Sequence, residues 1–133
     1  MIYLVRHGES EANINKRFSG ITDVNLSLKG REQARQAGLN LKFEKISNIY
    51  SSPLTRARDT AQIISKEINF DENKINTDNS LIEVNFGLFE NLTWDEIESS
   101  YKDESENWIA NKIKYKFPEG EGYYDIIKRV SFF

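Results

Sequence analysis

The chain has 133 residues, 38% of them apolar, with 18 Lys and Arg against 21 Asp and Glu and no cysteine. This size and composition suit one globular domain with a hydrophobic core, and the absence of cysteine excludes disulfide bonds and thiolate chemistry. No apolar run approaches the roughly 20 residues that a bilayer-spanning helix needs.

The start, Met1-Ile2-Tyr3-Leu4-Val5, has neither a basic leader nor a small-residue cleavage site, so a cytoplasmic protein without contact to a membrane is expected. Charge is divided unevenly. Residues 1 to 68 carry 11 Lys and Arg against 7 Asp and Glu, and the remainder carries 7 against 14. A basic amino-terminal half suits a local anion site. A nucleic-acid partner is not expected, because no basic run interleaves with aromatic residues.

In chain order, Ile2 to Val5 is a continuous apolar run that predicts a strand buried on both faces. Lys29 to Phe43 predicts a helix whose narrow face of Ala34, Ala37, Gly38 and Leu41 would pack closely on a sheet. Ile46 to Tyr50 predicts a second buried strand. Strand, helix and strand make a βαβ unit with parallel strands, which would put the chain after Val5 and after Tyr50 at one sheet edge, where ligands of open α/β sheets collect.

The next helix is announced by "SSPL", with Ser52 as cap and Pro53 at the first helical position. Ala57, Ala61, Ile64 and Ile68 continue at helical spacing, so Arg56 falls in the first turn. A short strand is expected near Ile75. "LIEVNFGLFENLTW" mixes apolar and acidic residues and reads as a functional loop, although Phe86 and Phe89 also suit ordinary packing. Thr93 to Tyr101 and Glu104 to Tyr115 are acidic helices, with Thr93 and Glu96 spaced as a capping box. After the break at "FPEGEG", Tyr123 to Phe133 predicts a helix with Tyr123, Ile126, Ile127 and Val130 on one face. No repeat, low-complexity tract or linker divides the chain, so residues 1–133 are read as one domain.

The only histidine, His7, stands in "LVRHGES". A neutral imidazole can attack phosphorus and hold the phosphoryl group as a phosphoramidate, while neighbouring guanidinium groups stabilise the equatorial oxygens. Gly8 would permit close approach of the backbone to that group. Arg6 and Arg56 could clamp one phosphate, with the amide of Asn13 added. A lone histidine is more often structural, and it is the joint placement of these groups that favours chemistry. One histidine and scattered carboxylates form no metal-ligand cluster, and neither G-x-x-x-x-G-K-[ST] nor G-x-G-x-x-G occurs, so no metal or cofactor is expected.

"LVRHGES" followed by Asn13, then "SSPLTRARDTA", "LIEVNFGLFE" and "FPEGEGYYDIIKRV", resembles the histidine phosphatase superfamily, also called the phosphoglycerate-mutase-like family. The resemblance implies an α/β fold, a three-layer α/β/α arrangement with a mainly parallel sheet. It also implies a phosphomonoester hydrolase working through phosphohistidine on a small phosphorylated metabolite. His7 would be the nucleophile, Arg6, Asn13 and Arg56 the phosphate pocket, and Glu83 the acid-base carboxylate, while Ser19 and Gly20 match a loop that often touches substrate. Glu83 in this role would protonate the leaving alcohol and later deprotonate water, and burial near phosphate would raise its pKa. The short chain and "VNFGLFENLTWDEI" look more like the small phosphatases of the alpha-ribazole phosphatase type than like the glycolytic mutases.

Three departures accompany the resemblance. Asn91 stands where a glycine usually follows the "FE" pair, and Gly122 replaces the usual serine of the last block. Family members also continue into a strand ending at a second histidine, which this chain, read as truncated, lacks. The resemblance therefore leaves a second expectation open, a catalytically crippled phosphate-binding or interaction protein. An uncovered hydrophobic edge would favour instability, aggregation or a homo-oligomer.

Overall fold

The computed structural model describes residues 1–133. Their contacts divide into two units, Met1–Glu11 with Val24–Asn79, and Ala12–Asp23 with Ser80–Phe133. The elements in chain order are α1 (Glu11–Ile14), α2 (Leu28–Asn40), β1 (Ile49–Ser51), α3 (Thr55–Glu67), β2 (Ile75–Thr77), α4 (Trp94–Ser100), α5 (Lys102–Asn111) and α6 (Tyr123–Val130), with one-turn helices at Glu72–Lys74, Asn79–Leu81 and Gly87–Phe89. None of the helices is long and apolar enough to cross a membrane.

In the first unit, α2 begins at Ser27, whose Oγ accepts a hydrogen bond from Gly30 N at 2.9 Å. Its buried residues Gly30, Ala34 and Gly38 recur every four positions and form a stripe without bulk. The helix packs on α3 rather than on a sheet as predicted, closest at Gly38, where a Cβ would lie 2.8 Å from Glu67 Cβ and 3.1 Å from Ile64 Cα. The helix also stops at Asn40, short of the predicted Phe43, because the Leu41 amide turns back to the carbonyls of Ala37 and Gly38.

The sheet consists of β1 and β2, parallel, with Ile49 opposite Ile75 and Ser51 opposite Thr77. The α/β class with a parallel sheet is therefore as expected, but the βαβ unit is built one step later in the chain, with α3 as the crossover. Ile2 to Val5 forms no strand, and Ile2 and Leu4 are 87% and 95% exposed. Without a ladder partner the backbone of this run is left to water, whatever its side chains prefer.

The start of α3 also differs from expectation. Leu54 is the cap and makes no side-chain bond, while Ser52 Oγ accepts from Leu54 N at 3.3 Å and holds Pro53 in a turn before the helix. Arg56 still falls in the first turn. The buried side chains of this unit are mostly small or polar: Ala34, Ala61, Ser10, Ser51, Ser52, Arg56, Thr60 and Ser65, with Leu26 and Ile64 as the larger apolar members.

The second unit buries rings. Phe89, Ile97, Tyr115 and Phe117 form its core, with Phe18, Phe86 and Trp108 packed on it. Phe117 meets Trp108, Phe86 and Tyr115 edge to face, with centroids 5.0 to 5.1 Å apart, the arrangement that ring quadrupoles favour. The predicted capping box is present, with Thr93 Oγ1 accepting from Glu96 N and Glu96 Oε2 accepting from Thr93 N. Helix α5 ends before the predicted Tyr115, which leaves the helix, is buried in the core and donates its hydroxyl to Glu104 Oε2 at 2.8 Å. Helix α6 ends at Val130, and Tyr123, Ile127 and Val130 of its predicted apolar face are exposed.

Candidate active site

In the first unit, Gly8 and Glu9 lie against the start of α2 with almost no space between backbones. A Cβ at Gly8 would fall 2.1 Å from Gly30 O, and a Cβ at Gly30 would fall 2.0 Å from Glu9 O. Gly8 is thus required by its approach to α2, where the sequence suggested an approach to a phosphoryl group. Glu9 secures the contact: its N donates to Gln33 Oε1 at 2.8 Å, its O accepts from Ser27 N at 2.9 Å, and its carboxylate accepts from Ser27 Oγ and Lys29 Nζ. The Ser27 hydroxyl and then Lys29 hold the Glu9 carboxyl below its ordinary range.

His7 is half-buried, and its Nδ1 lies 2.8 Å from Gly8 O. A carbonyl only accepts, so Nδ1 carries the proton, and in the neutral ring the lone pair belongs to Nε2. One residue on, Gly8 N donates to Thr60 Oγ1 at 3.2 Å, and Thr60 Oγ1 donates to Arg56 O at 2.7 Å. This relay ties the His7 segment to the first turn of α3. Arg56 is 2% exposed, and no buried side-chain polar atom of the chain lacks a hydrogen-bond partner. A buried guanidinium is rare unless it is held by acceptors, and it keeps its charge. Arg6, by contrast, is exposed.

In the second unit, Asn13 is exposed on α1, and its carbonyl accepts from Lys16 N at 3.2 Å. Ser19 Oγ donates to Thr22 O at 2.9 Å. Gly20 is buried, and a Cβ there would lie 1.7 Å from Val84 O, so only glycine lets this loop approach the carbonyl of the residue after Glu83. Glu83 is exposed, not buried as predicted, and its Oε1 accepts from Val84 N at 2.8 Å.

The loops carrying Gly20 and Glu83 share one acceptor. The Glu90 carboxylate accepts from Gly20 N, Ile21 N, Thr22 N and Phe86 N at 3.0 to 3.2 Å and from the Thr22 hydroxyl. Asn91 follows with φ of 60°, a left-handed conformation that glycine adopts at no cost and that Asn tolerates better than other side chains. That conformation lets Asn91 N reach Phe18 O at 2.7 Å, while Asn91 O takes Arg17 Nη1 at 2.6 Å. Gly122 caps α6 without a side chain, its N donating to Asp125 Oδ2 at 2.9 Å.

Sequence pattern does not mark Gly30, Thr60 and Glu90 as the organisers of these segments that they are. Each acts on residues far away in the chain, and only the "FE" pair offered a signal.

A model of the histidine phosphatase superfamily (branch 1) matches residues 2–133. The chain belongs to that superfamily. It is 37% identical over 98% of its length to a protein of Escherichia coli O1:K1 named "Probable phosphoglycerate mutase GpmB", and it covers 59% of that relative. Among solved structures it matches the alpha-ribazole phosphatase of Shigella flexneri at 26% identity and a TM-score of 0.83, over 96% of this chain and 61% of that one. It matches a mycobacterial glucosyl-3-phosphoglycerate phosphatase solved with VO3 at 28% identity and a TM-score of 0.83, over 92% and 57% respectively. The superfamily member described here thus spans about three-fifths of the relatives it matches.

Proposed function

We propose that this chain hydrolyses small phosphomonoesters through a phosphohistidine formed at His7. The observation that carries the reading is the bond from His7 Nδ1 to Gly8 O, which leaves the lone pair of the neutral ring on Nε2. In the first step Nε2 attacks phosphorus and a P–N bond forms. The ester P–O bond breaks, and its oxygen takes a proton from the Glu83 carboxyl. In the second step the Glu83 carboxylate deprotonates water, whose oxygen attacks phosphorus and breaks the P–N bond to release phosphate. Arg6, Asn13 and Arg56 bind the phosphoryl oxygens, Arg56 with a preset guanidinium. Ser19 and Gly20 border the rest of the substrate.

Alpha-ribazole 5′-phosphate is the favoured substrate, with phosphoglycerate second. The likeness to alpha-ribazole phosphatase supports the first and the curated relative the second. A cytoplasmic metabolite fits a chain without cysteine. The test is phosphate release from both esters and from p-nitrophenyl phosphate by this chain and by His7→Ala. Turnover at least ~100-fold above the variant is expected, and equal rates overturn the reading. The exposure of Glu83, which leaves its carboxyl in water, favours one rival, a phosphate-binding protein without turnover. Its signature is calorimetric binding of the ester with no phosphate released above the His7→Ala level.

A further inference from the structure

We propose that Arg129 is a positioning residue for proton transfer, holding the backbone that carries Glu83; this rests on the reading of Glu83 as acid and base. Arg129 lies in the last turn of α6 with its side chain 22% exposed, against Glu121 at 25%. Its Nη1 donates to Ser80 O and Ile82 O, both at 2.7 Å, and its Nη2 reaches Glu83 O at the longer distance of 3.5 Å. Nε and Nη2 donate to Glu121 Oε1 and Oε2 at 2.9 and 3.0 Å. All five donors of the guanidinium are thereby engaged.

Glu121 extends the clamp. Its Oε2 accepts from Asn85 N at 3.0 Å, and its own N donates to Asn85 O at 2.9 Å. From the far side Glu90 takes Phe86 N. Residues 80 to 86 belong to no strand and contain only the end of a one-turn helix, so these side chains supply the backbone partners that a sheet would otherwise provide.

The exposed Glu83 carboxyl is aimed by local backbone, its Oε1 accepting from Val84 N at 2.8 Å, so its position follows that of the peptides on either side of it. A misplacement of about 1 Å can cost ~100-fold in rate. Lysine cannot replace the clamp, because an ammonium lacks the planar fork that serves two carbonyls and a carboxylate at once.

The reading separates positioning from general stability through the leaving group. An activated phenol departs with little help from an acid, whereas an alkyl alcohol needs its proton. The experiment measures kcat on p-nitrophenyl phosphate and on 3-phosphoglycerate for the 133-residue chain, Arg129→Lys, Arg129→Ala, Glu121→Gln and Glu83→Gln. The ratio of the two rates on one sample is independent of the folded fraction, so a partly unfolded variant still reports. Arg129→Lys and Arg129→Ala are expected to lose at least ~10-fold more on the alkyl ester than on the aryl ester, in the same sense as Glu83→Gln. Equal losses on both esters, with Glu83→Gln still selective, overturn the role of Arg129 alone. Equal losses for Glu83→Gln, or no turnover above His7→Ala in the parent chain, overturn the underlying reading and this inference with it.

Discussion

The two units of this chain are held by different physics. The first buries Ser10, Ser51, Thr60, Ser65 and an arginine beside a few aliphatic residues, and its tightest contact is backbone on backbone, at Gly8 and Gly30. The second buries Phe89, Ile97, Tyr115 and Phe117 and arranges its loops around carboxylates and one arginine at the margin of the aromatic cluster. Close approach of peptides with directed hydrogen bonds fixes the ring orientation of one histidine in the first unit. Ring packing in the second gives a stiff base from which irregular loops are held by charged side chains. Substitutions should therefore act through volume and strain in one unit and through cavities and lost ring contacts in the other.

The largest effect is expected for Phe89→Ala. Phe89 has no exposed surface, and truncating it should cost about 3–5 kcal/mol. Urea unfolding followed by the fluorescence of Trp94 and Trp108, both in the second unit, measures this directly. A loss below about 1 kcal/mol would mean that the rings are not the core.

Next is Gly30→Ala. Helix propensity alone would reward it by up to about 1 kcal/mol. The added Cβ would nevertheless lie 2.0 Å from Glu9 O, a backbone atom that cannot swing away. Overpacking costs roughly 1–3 kcal/mol or more and outweighs the gain. Gly38→Ala, whose Cβ would lie 2.8 Å from Glu67 Cβ and 3.1 Å from Ile64 Cα, should also cost stability, but less than the 2.0 Å approach at Gly30. Equal and stabilising effects from both would contradict the backbone contact.

Acid acts on both units: in the first, Glu9 is held below its ordinary carboxylate range first by the Ser27 hydroxyl, and Glu32 first by Arg35. In the second, Glu96 is held below its ordinary carboxylate range first by the Thr93 amide, Glu121 by Arg129, and Asp125 by the Gly122 amide. A folded-state pKa below the unfolded value contributes stability that is complete above the unfolded value near 4 and is lost as pH falls toward the lowered ones. Tryptophan fluorescence should report loosening in that window. Glu121→Gln should lower stability near neutrality and flatten its dependence on acid, and an unchanged acid slope would remove Glu121 from the account. The smallest effect is Asn91→Gly, which should stabilise by about 0.5 kcal/mol by relieving the left-handed backbone, whereas Asn91→Val should destabilise by more.

What could be read from sequence was whatever rests on neighbours in the chain. The Thr93–Glu96 box, the first-turn place of Arg56 and the short strand at Ile75 need only local spacing. Ile2 to Val5 was misread because an apolar run states what a segment prefers and not whether a partner strand lies beside it. Ser52 was misassigned because one more residue of turn separates Pro53 from the helix. The candidate site was legible in its residue types through the resemblance, but its supports were not. Thr60 under Gly8, Gly30 against Gly8, Glu90 across two loops and Arg129 on the carbonyls of Ser80, Ile82 and Glu83 are all pairings over long sequence distances. The exposure of Glu83 depends likewise on where its loop is pinned, which no periodicity records.

The most direct measurement is phosphorus and nitrogen NMR of the nitrogen-labelled chain, quenched into alkaline denaturant during reaction with p-nitrophenyl phosphate. The bond from His7 Nδ1 to Gly8 O predicts a single phosphoramidate on Nε2 of His7, absent from His7→Ala. A phosphoryl group on Nδ1, or no phosphohistidine at any ester concentration, would contradict it.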